Sequence, residues 1–239
     1  EAQLHFLDEQ SEIGACGSLV RFGGDSTAQQ GYALHVEWIN SLVTPEAIAL
    51  NRFVESPVAH PSMIFRADLI GRLGGYRDCG WPEDYELWLR WLDAGVSIGK
   101  VPESLLTWND PPQRLSRTDP RYSPEAFYEC KCHYLARWLK RERPDAKRIL
   151  LWGAGRPTRR RFASLAREGV ALCAYIDIDP KKIGGRADGL DVIGPDALPP
   201  PSPEVFIIVG VGTRGARGLI REDLTARGYS EGPNFICAA

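Results

Sequence analysis

Trp81-Pro82-Glu83-Asp84-Tyr85-Glu86-Leu87-Trp88-Leu89-Arg90 opens the clearest helix in the first half of the chain. The spacing predicts a helix over residues 82–94. Pro82 suits the first helical position, and Glu83, Asp84 and Glu86 crowd the first turn, where the helix dipole favours negative charge. Tyr85, Trp88, Leu89 and Leu92 recur at i, i+3, i+4 and i+7, and Gly95 closes the C-terminus. Two adjacent carboxylates at a helix start, just after a glycine-rich loop, have the chemistry to take a proton from an incoming hydroxyl. The structural alternative is that these acids are ordinary helix-start residues.

Upstream, residues 4–12 read as the end of a helix and residues 15–22 as a strand closed by Gly23-Gly24-Asp25. A helical spacing follows at Leu34, Trp38 and Leu42. Thr44-Pro45-Glu46 starts a second short helix with Thr44 as its cap. Prolines make Ser56 to Pro61 extended. Ser62 to Arg66 is a short strand, and Ala67 to Leu73 a helix turn broken by Gly74-Gly75. Downstream, residues 96–106 read as a strand bent at Pro102, residues 109–122 as a loop rich in Pro, Arg and Asp, and residues 124–143 as a long helix capped by Ser123.

A new unit begins after Pro144-Asp145. Strands are expected at Arg148–Trp152, Leu172–Ile176, Val205–Val209 and Asn234–Cys237, with helices after Gly155 and over residues 215–227. Alternating strands and helices with apolar runs indicate a small parallel sheet, so the fold class is α/β.

Composition narrows the field. The chain has 239 residues, 44% hydrophobic and 25% charged, which are globular values. The first 146 residues hold 15 basic and 21 acidic groups, and the rest hold 14 and 10. That asymmetry indicates two units with different partners. No basic stripe with interleaved aromatics argues for nucleic acid, and no apolar run reaches the ~18 residues of a membrane span. The six cysteines are scattered, with Cys130-x-Cys132 too sparse for structural zinc, and are read as reduced, partly buried thiols. The first residues read as neither a signal peptide nor an initiator methionine, and the expectation is an internal piece of a longer chain.

Ser56-Pro57-Val58-Ala59-His60-Pro61-Ser62-Met63-Ile64-Phe65-Arg66, then Gly74-Gly75-Tyr76-Arg77, then Glu83 to Arg90, resembles the back half of a bacterial family 2 inverting glycosyltransferase, in order and spacing. The resemblance covers residues 4–140. It implies a partial GT-A fold over residues 1–110, a loop and helical linker over 111–146, and transfer of a sugar from a nucleotide-diphosphate donor to a hydroxyl of a glycan or lipid-linked sugar. It maps the general base onto Asp84, with Glu83 beside it and His60, Trp88 and Arg90 at acceptor-side positions. The family's donor site and its metal-holding Asp-x-Asp precede the base. Gln3 to Phe22 resembles the helix and strand just after that motif. The chain is therefore expected to lack a donor site and to be inactive alone, with a divalent metal (Mg or Mn) bound only in the complete enzyme. The resemblance also implies a cytoplasmic location, either free or at the inner face of a bacterial membrane, in polysaccharide biosynthesis. An unfinished sheet edge invites a second copy.

Residues 147–239 resemble the Rossmann-like domains attached to bacterial surface-sugar enzymes, on Gly153-Ala154-Gly155 and on Tyr175-Ile176-Asp177 through Gly184. Gly153, Gly155 and Asp177 are the candidate cofactor contacts, as in a dinucleotide fingerprint, but Thr158 replaces the third glycine. Asp177-Ile178-Asp179 is read as a metal-site decoy, because it follows the proposed base. Two rivals remain: a non-catalytic module that binds a nucleotide or docks a partner, and an oxidoreductase built on Gly153 and Gly155. Arg114, Arg117 and Arg121 are expected either to fold over a leaving diphosphate or to sit on a solvated linker.

Overall fold

The structure, a computed structural model, describes residues 1–27, 29–111 and 113–239, with Leu115 described in its backbone alone. Pro112 of the expected loop lies outside the described residues. The chain divides into two compact units, Glu1–Arg52 with Ser56–Phe127, and Phe53–Glu55 with Tyr128–Ala239.

The first unit is built on a three-stranded sheet. Its elements are α1 (Ala2–Glu9), β1 (Ile13–Phe22), α2 (Gln30–Ser41), α3 (Pro45–Asn51), β2 (Ile64–Phe65), α4 (Asp68–Leu73), α5 (Glu83–Asp93), β3 (Ser97–Trp108) and α6 (Leu115–Thr118). β1 lies in the centre, antiparallel to β2 and parallel to β3. The β1–β3 register slips where Ser18 faces Val101 but Leu19 faces Ser104. Pro102 falls in that gap. It has no N–H to give the ladder, so a bulge is the natural outcome. The apolar stripe of α5 enters the largest core cluster, where Leu87, Trp88, Trp91 and Leu92 meet Ala15, Ile48, Leu69 and Ile98. A second cluster joins Leu7 of α1 to Ile13, Cys16 and Val101. Thr44 caps α3 as expected, its hydroxyl accepting the Ala47 N–H at 3.3 Å. Lys100 is buried, and its ammonium donates to the carbonyls of Ile39 and Pro57. Burial lowers its pKa to about 7.

The second unit holds most of α7 (Pro124–Glu142), then β4 (Arg148–Trp152), α8 (Arg156–Phe162), α9 (Ser164–Arg167), β5 (Leu172–Ile176), β6 (Arg186–Ala187), β7 (Leu190–Ile193), β8 (Val205–Val209), α10 (Ala216–Ala226) and β9 (Phe235–Cys237). The sheet order is β6-β7-β5-β4-β8-β9, parallel throughout except for β6. It grows outward on both sides of β4, so the loop after β4 lies where the strand order reverses. β8 is buried at every position, as its unbroken apolar run requires. The β6–β7 hairpin turns on Asp188-Gly189, both at positive φ. Asp-Gly is the pair such a two-residue turn demands, and it is a signal that the sequence reading passed over. Trp138 of α7 packs edge-on to Phe53 and to Phe206.

All six cysteines are free thiols, with Cys79 and Cys173 exposed and the others buried. Burial pushes the Cys132 and Cys237 thiols to about 11 and about 12, so neither is a nucleophile at neutral pH. Among the described residues, no helix is long and apolar enough to cross a membrane.

Candidate functional site

The three acids of the first turn of α5 meet three different fates. Glu86 is 1% exposed and pairs with Arg90, whose Nε lies 2.9 Å from its Oε1. Asp84 accepts the backbone N–H of Tyr85 at 2.7 Å. Glu83 accepts the hydroxyl of Tyr122 at 2.6 Å. The helix is fixed from below. Tyr85 donates to the Arg52 carbonyl at 2.7 Å and stacks on Phe127 with centroids 4.4 Å apart.

Around this helix start the structure gathers His60, from the single turn His60–Ser62, and Tyr76, from the loop after α4. The His60 ring lies 5.6 Å from Tyr76 and 5.8 Å from Trp88, centroid to centroid. The Tyr76 hydroxyl is 3.4 Å from His60 Nε2. Three buried polar atoms in this group have no hydrogen-bond partner among the described residues: His60 Nδ1, Glu83 Oε2 and Trp88 Nε1. Buried polar atoms are nearly always satisfied, and each exception costs about 1–3 kcal/mol. Three of them fall in one cluster around the start of α5.

Electrostatics single out Asp84. Burial pushes its carboxyl above the usual carboxylate range, and the neighbouring Glu83 charge adds to this. His60 and the Tyr85 N–H pull against them. A carboxylate held this way is a stronger proton acceptor than a solvated one. Burial, then the Asp84 and Glu83 charges, likewise raise the Tyr76 hydroxyl. Burial and the bond to Glu83 raise the Tyr122 hydroxyl far above neutrality, so it stays protonated and remains a donor.

Of the residues that the sequence singles out, Glu83, Asp84, His60 and Trp88 therefore come together. Arg90 does not join them. Its guanidinium binds Glu86 and the carbonyls of Leu73, Gly74 and Gly75, and so holds the glycine loop in place. Trp88 is 0% exposed and belongs to the core with its ring; only its N–H bears on the site. Tyr76 and Tyr122 were given no role from sequence. Tyr76 lies in the Gly74-Gly75-Tyr76 motif, a usable signal. Tyr122 is brought in by the tertiary fold from a loop 39 residues beyond Glu83. The loop arginines are held by acids of the same chain. Arg114 and Arg117 bind Asp110, and Arg121 binds Asp119.

Over 111 residues the chain is 32% identical to WbnJ, an O-antigen biosynthesis glycosyltransferase of Escherichia coli. That stretch is thus similar to a glycosyltransferase. The match covers 44% of this chain and 41% of the length of that relative. No family model matches the chain, and no solved structure does.

The glycine loop of the second unit is closed by its own side chains. Asp177 Oδ2 accepts the Ala154 N–H at 3.0 Å and the Lys182 ammonium at 3.0 Å, while Oδ1 accepts the Asp179 N–H at 3.0 Å. Burial works against the Asp177 charge, but these donors outweigh it and hold the carboxyl below its usual range. These three bonds take both acceptor positions of Oδ2 and one of Oδ1, and tie the carboxylate to the glycine loop through Ala154. Gly153 sits at φ +121°. Thr158, at the third fingerprint position, packs toward Gly210 after β8, where an added Cβ would lie 2.9 Å from the Thr158 methyl. The close approach that fingerprint glycines normally permit has moved to the neighbouring strand. Lys182 lies 3.0 and 3.6 Å from Asp177 and Asp179, so a cation of the chain already sits between these carboxylates. Among the described residues, no group of three or more His, Cys, Asp or Glu is placed to hold a metal ion.

Proposed function

We propose that the first unit is the acceptor side of an inverting glycosyltransferase with a GT-A type of fold, and that Asp84 is its general base. The observation that carries this reading is the set of three partnerless buried atoms around a carboxylate of raised pKa. A sugar hydroxyl both donates and accepts hydrogen bonds, so a sugar satisfies such a mixed set.

In the reaction, the acceptor hydroxyl gives its proton to Asp84 as its oxygen bonds to the anomeric carbon of the donor. The bond from that carbon to the diphosphate breaks on the opposite face, and the nucleoside diphosphate leaves. Burial and the Glu83 charge keep Asp84 basic, and His60 keeps it from holding its proton too tightly. A divalent cation bound with the donor would supply charge neutralisation to the leaving diphosphate. The residues that would hold donor and cation are assigned, by the family resemblance, to other parts of such a protein. The acceptor is a glycan or lipid-linked sugar of a bacterial envelope, in line with the partial likeness to an O-antigen enzyme. The second unit, Rossmann-like in strand order, acts as a scaffold or docking module. The Asp177–Ala154 bond favours that role over hydride transfer.

In the full-length protein, Asp84→Asn should reduce transfer at least ~10²-fold, the low end of what removing a positioned base costs, with donor affinity unchanged in calorimetry. Normal transfer by that variant would remove the base assignment.

A further inference from the structure

Tyr122 ends the single-turn helix Pro120–Tyr122, and both flanks of that turn are capped. Asp119 accepts the Arg121 N–H at 2.9 Å, and Ser123 accepts the Ala126 N–H at 3.2 Å at the start of α7. The phenol therefore reaches Glu83 from a fixed base. It occupies Oε1 and leaves Oε2 buried and unpartnered.

We propose that Tyr122 is a positioning residue: by clamping one oxygen of Glu83 it presents the other to the acceptor sugar, and so leaves proton uptake to Asp84 alone. This rests on the reading of the carboxylate pair as a transfer site. Without the clamp, Glu83 is free to turn either oxygen toward Asp84 and to compete for the same hydroxyl. The groups that face Asp84 are Glu83 from its own helix, His60, Tyr76 and Tyr122. Arg121 and Asp78 lie at the edge, Arg121 bearing on Glu83 and Tyr122.

The test is a double-mutant cycle on the 239-residue chain labelled with ¹³C at aspartate carboxyls. The Tyr122 hydroxyl proton screens the Glu83 charge. Tyr122→Phe should therefore raise the Asp84 midpoint by about 0.5 pH unit, and should leave it unmoved when Glu83→Gln is already present. Equal shifts in both backgrounds, or none in either, would overturn the proposal. Should Tyr122→Phe not fold, Glu83→Gln alone decides the matter. The Tyr122 Cζ resonance, followed by ¹³C labelling at pH 7, must then move upfield as the hydroxyl loses its charged acceptor, and an unchanged resonance overturns the clamp. A kinetic arm uses the full-length protein with p-nitrophenyl glycosides as acceptors and nucleotide-diphosphate hexoses as donors. There Tyr122→Phe should raise the acceptor KM about 10-fold with little change in kcat. It should add nothing to Glu83→Gln, and an equal added loss overturns the proposal. Retention of transfer by Asp84→Asn would refute the base assignment while leaving the outcome of the titration cycle intact.

Discussion

Burial works against the charge of Asp84, and that has a measurable sign. Its folded-state pKa is raised, chiefly by burial, so its contribution to stability is complete below the ordinary Asp value of about 3.9 and is lost as pH rises through the higher folded value. Asp84→Asn removes that loss. The variant should melt higher than the parent at pH 7, with the gain vanishing near pH 3, as checked by calorimetry at both values. Arg90 presents the opposite case. Removing it takes from Glu86, which is 1% exposed, its close guanidinium and leaves Arg77 at 3.8 Å, and breaking a buried pair costs up to about 3–5 kcal/mol. Arg90→Ala should therefore lower the urea midpoint strongly, and a variant as stable as the parent would contradict the structural role assigned here.

At the scale of elements, α5 was legible because its signals are local. Acids at one end, an apolar stripe and a closing glycine all fall within 13 residues, and the helix forms at Glu83–Asp93. The core strands of the second unit were legible for the same reason, since a buried strand is a continuous apolar run bounded by glycine. The β6–β7 hairpin escaped because its strands are two and four residues long, too short for a period to register. The glycine loop shows what a motif omits. Thr158 and Gly210 are partners 52 residues apart: the Thr158 hydroxyl donates to the Gly210 carbonyl at 3.2 Å, and its methyl packs on the glycine. Gly210→Ala would force a Cβ to within 2.7 Å of Phe162 and 2.9 Å of Leu151 and Thr158. Overpacking of this kind costs about 1–3 kcal/mol. Chemical denaturation should read that loss, and Thr158→Gly in the same chain should recover part of it.

Over the whole molecule, Lys131 ties distant parts of the second unit together. Its ammonium donates to the carbonyls of Val54 and Ala238 at 2.9 and 2.8 Å and lies 4.0 Å from the centroid of the Tyr128 ring. Burial lowers its pKa to about 7, against the pull of Glu55. Between that value and the unfolded pKa of about 10.4 the unfolded chain holds a proton that the folded chain does not, so this contribution to stability grows as pH rises through that window. The stability of the parent relative to Lys131→Met should accordingly rise from pH 7 to pH 9.5, and a relative stability flat in pH would refute it. By itself the sequence determined the α/β class, most helix and strand positions and the Glu83–Asp84 pair, because periodicity, caps and turn residues act over a few neighbouring positions. Tertiary structure alone decided that Tyr122 clamps Glu83, that Arg90 holds a loop and that Asp177 closes its own glycine turn. Each depends on which side chain meets which across tens of residues, and no local pattern encodes that distance.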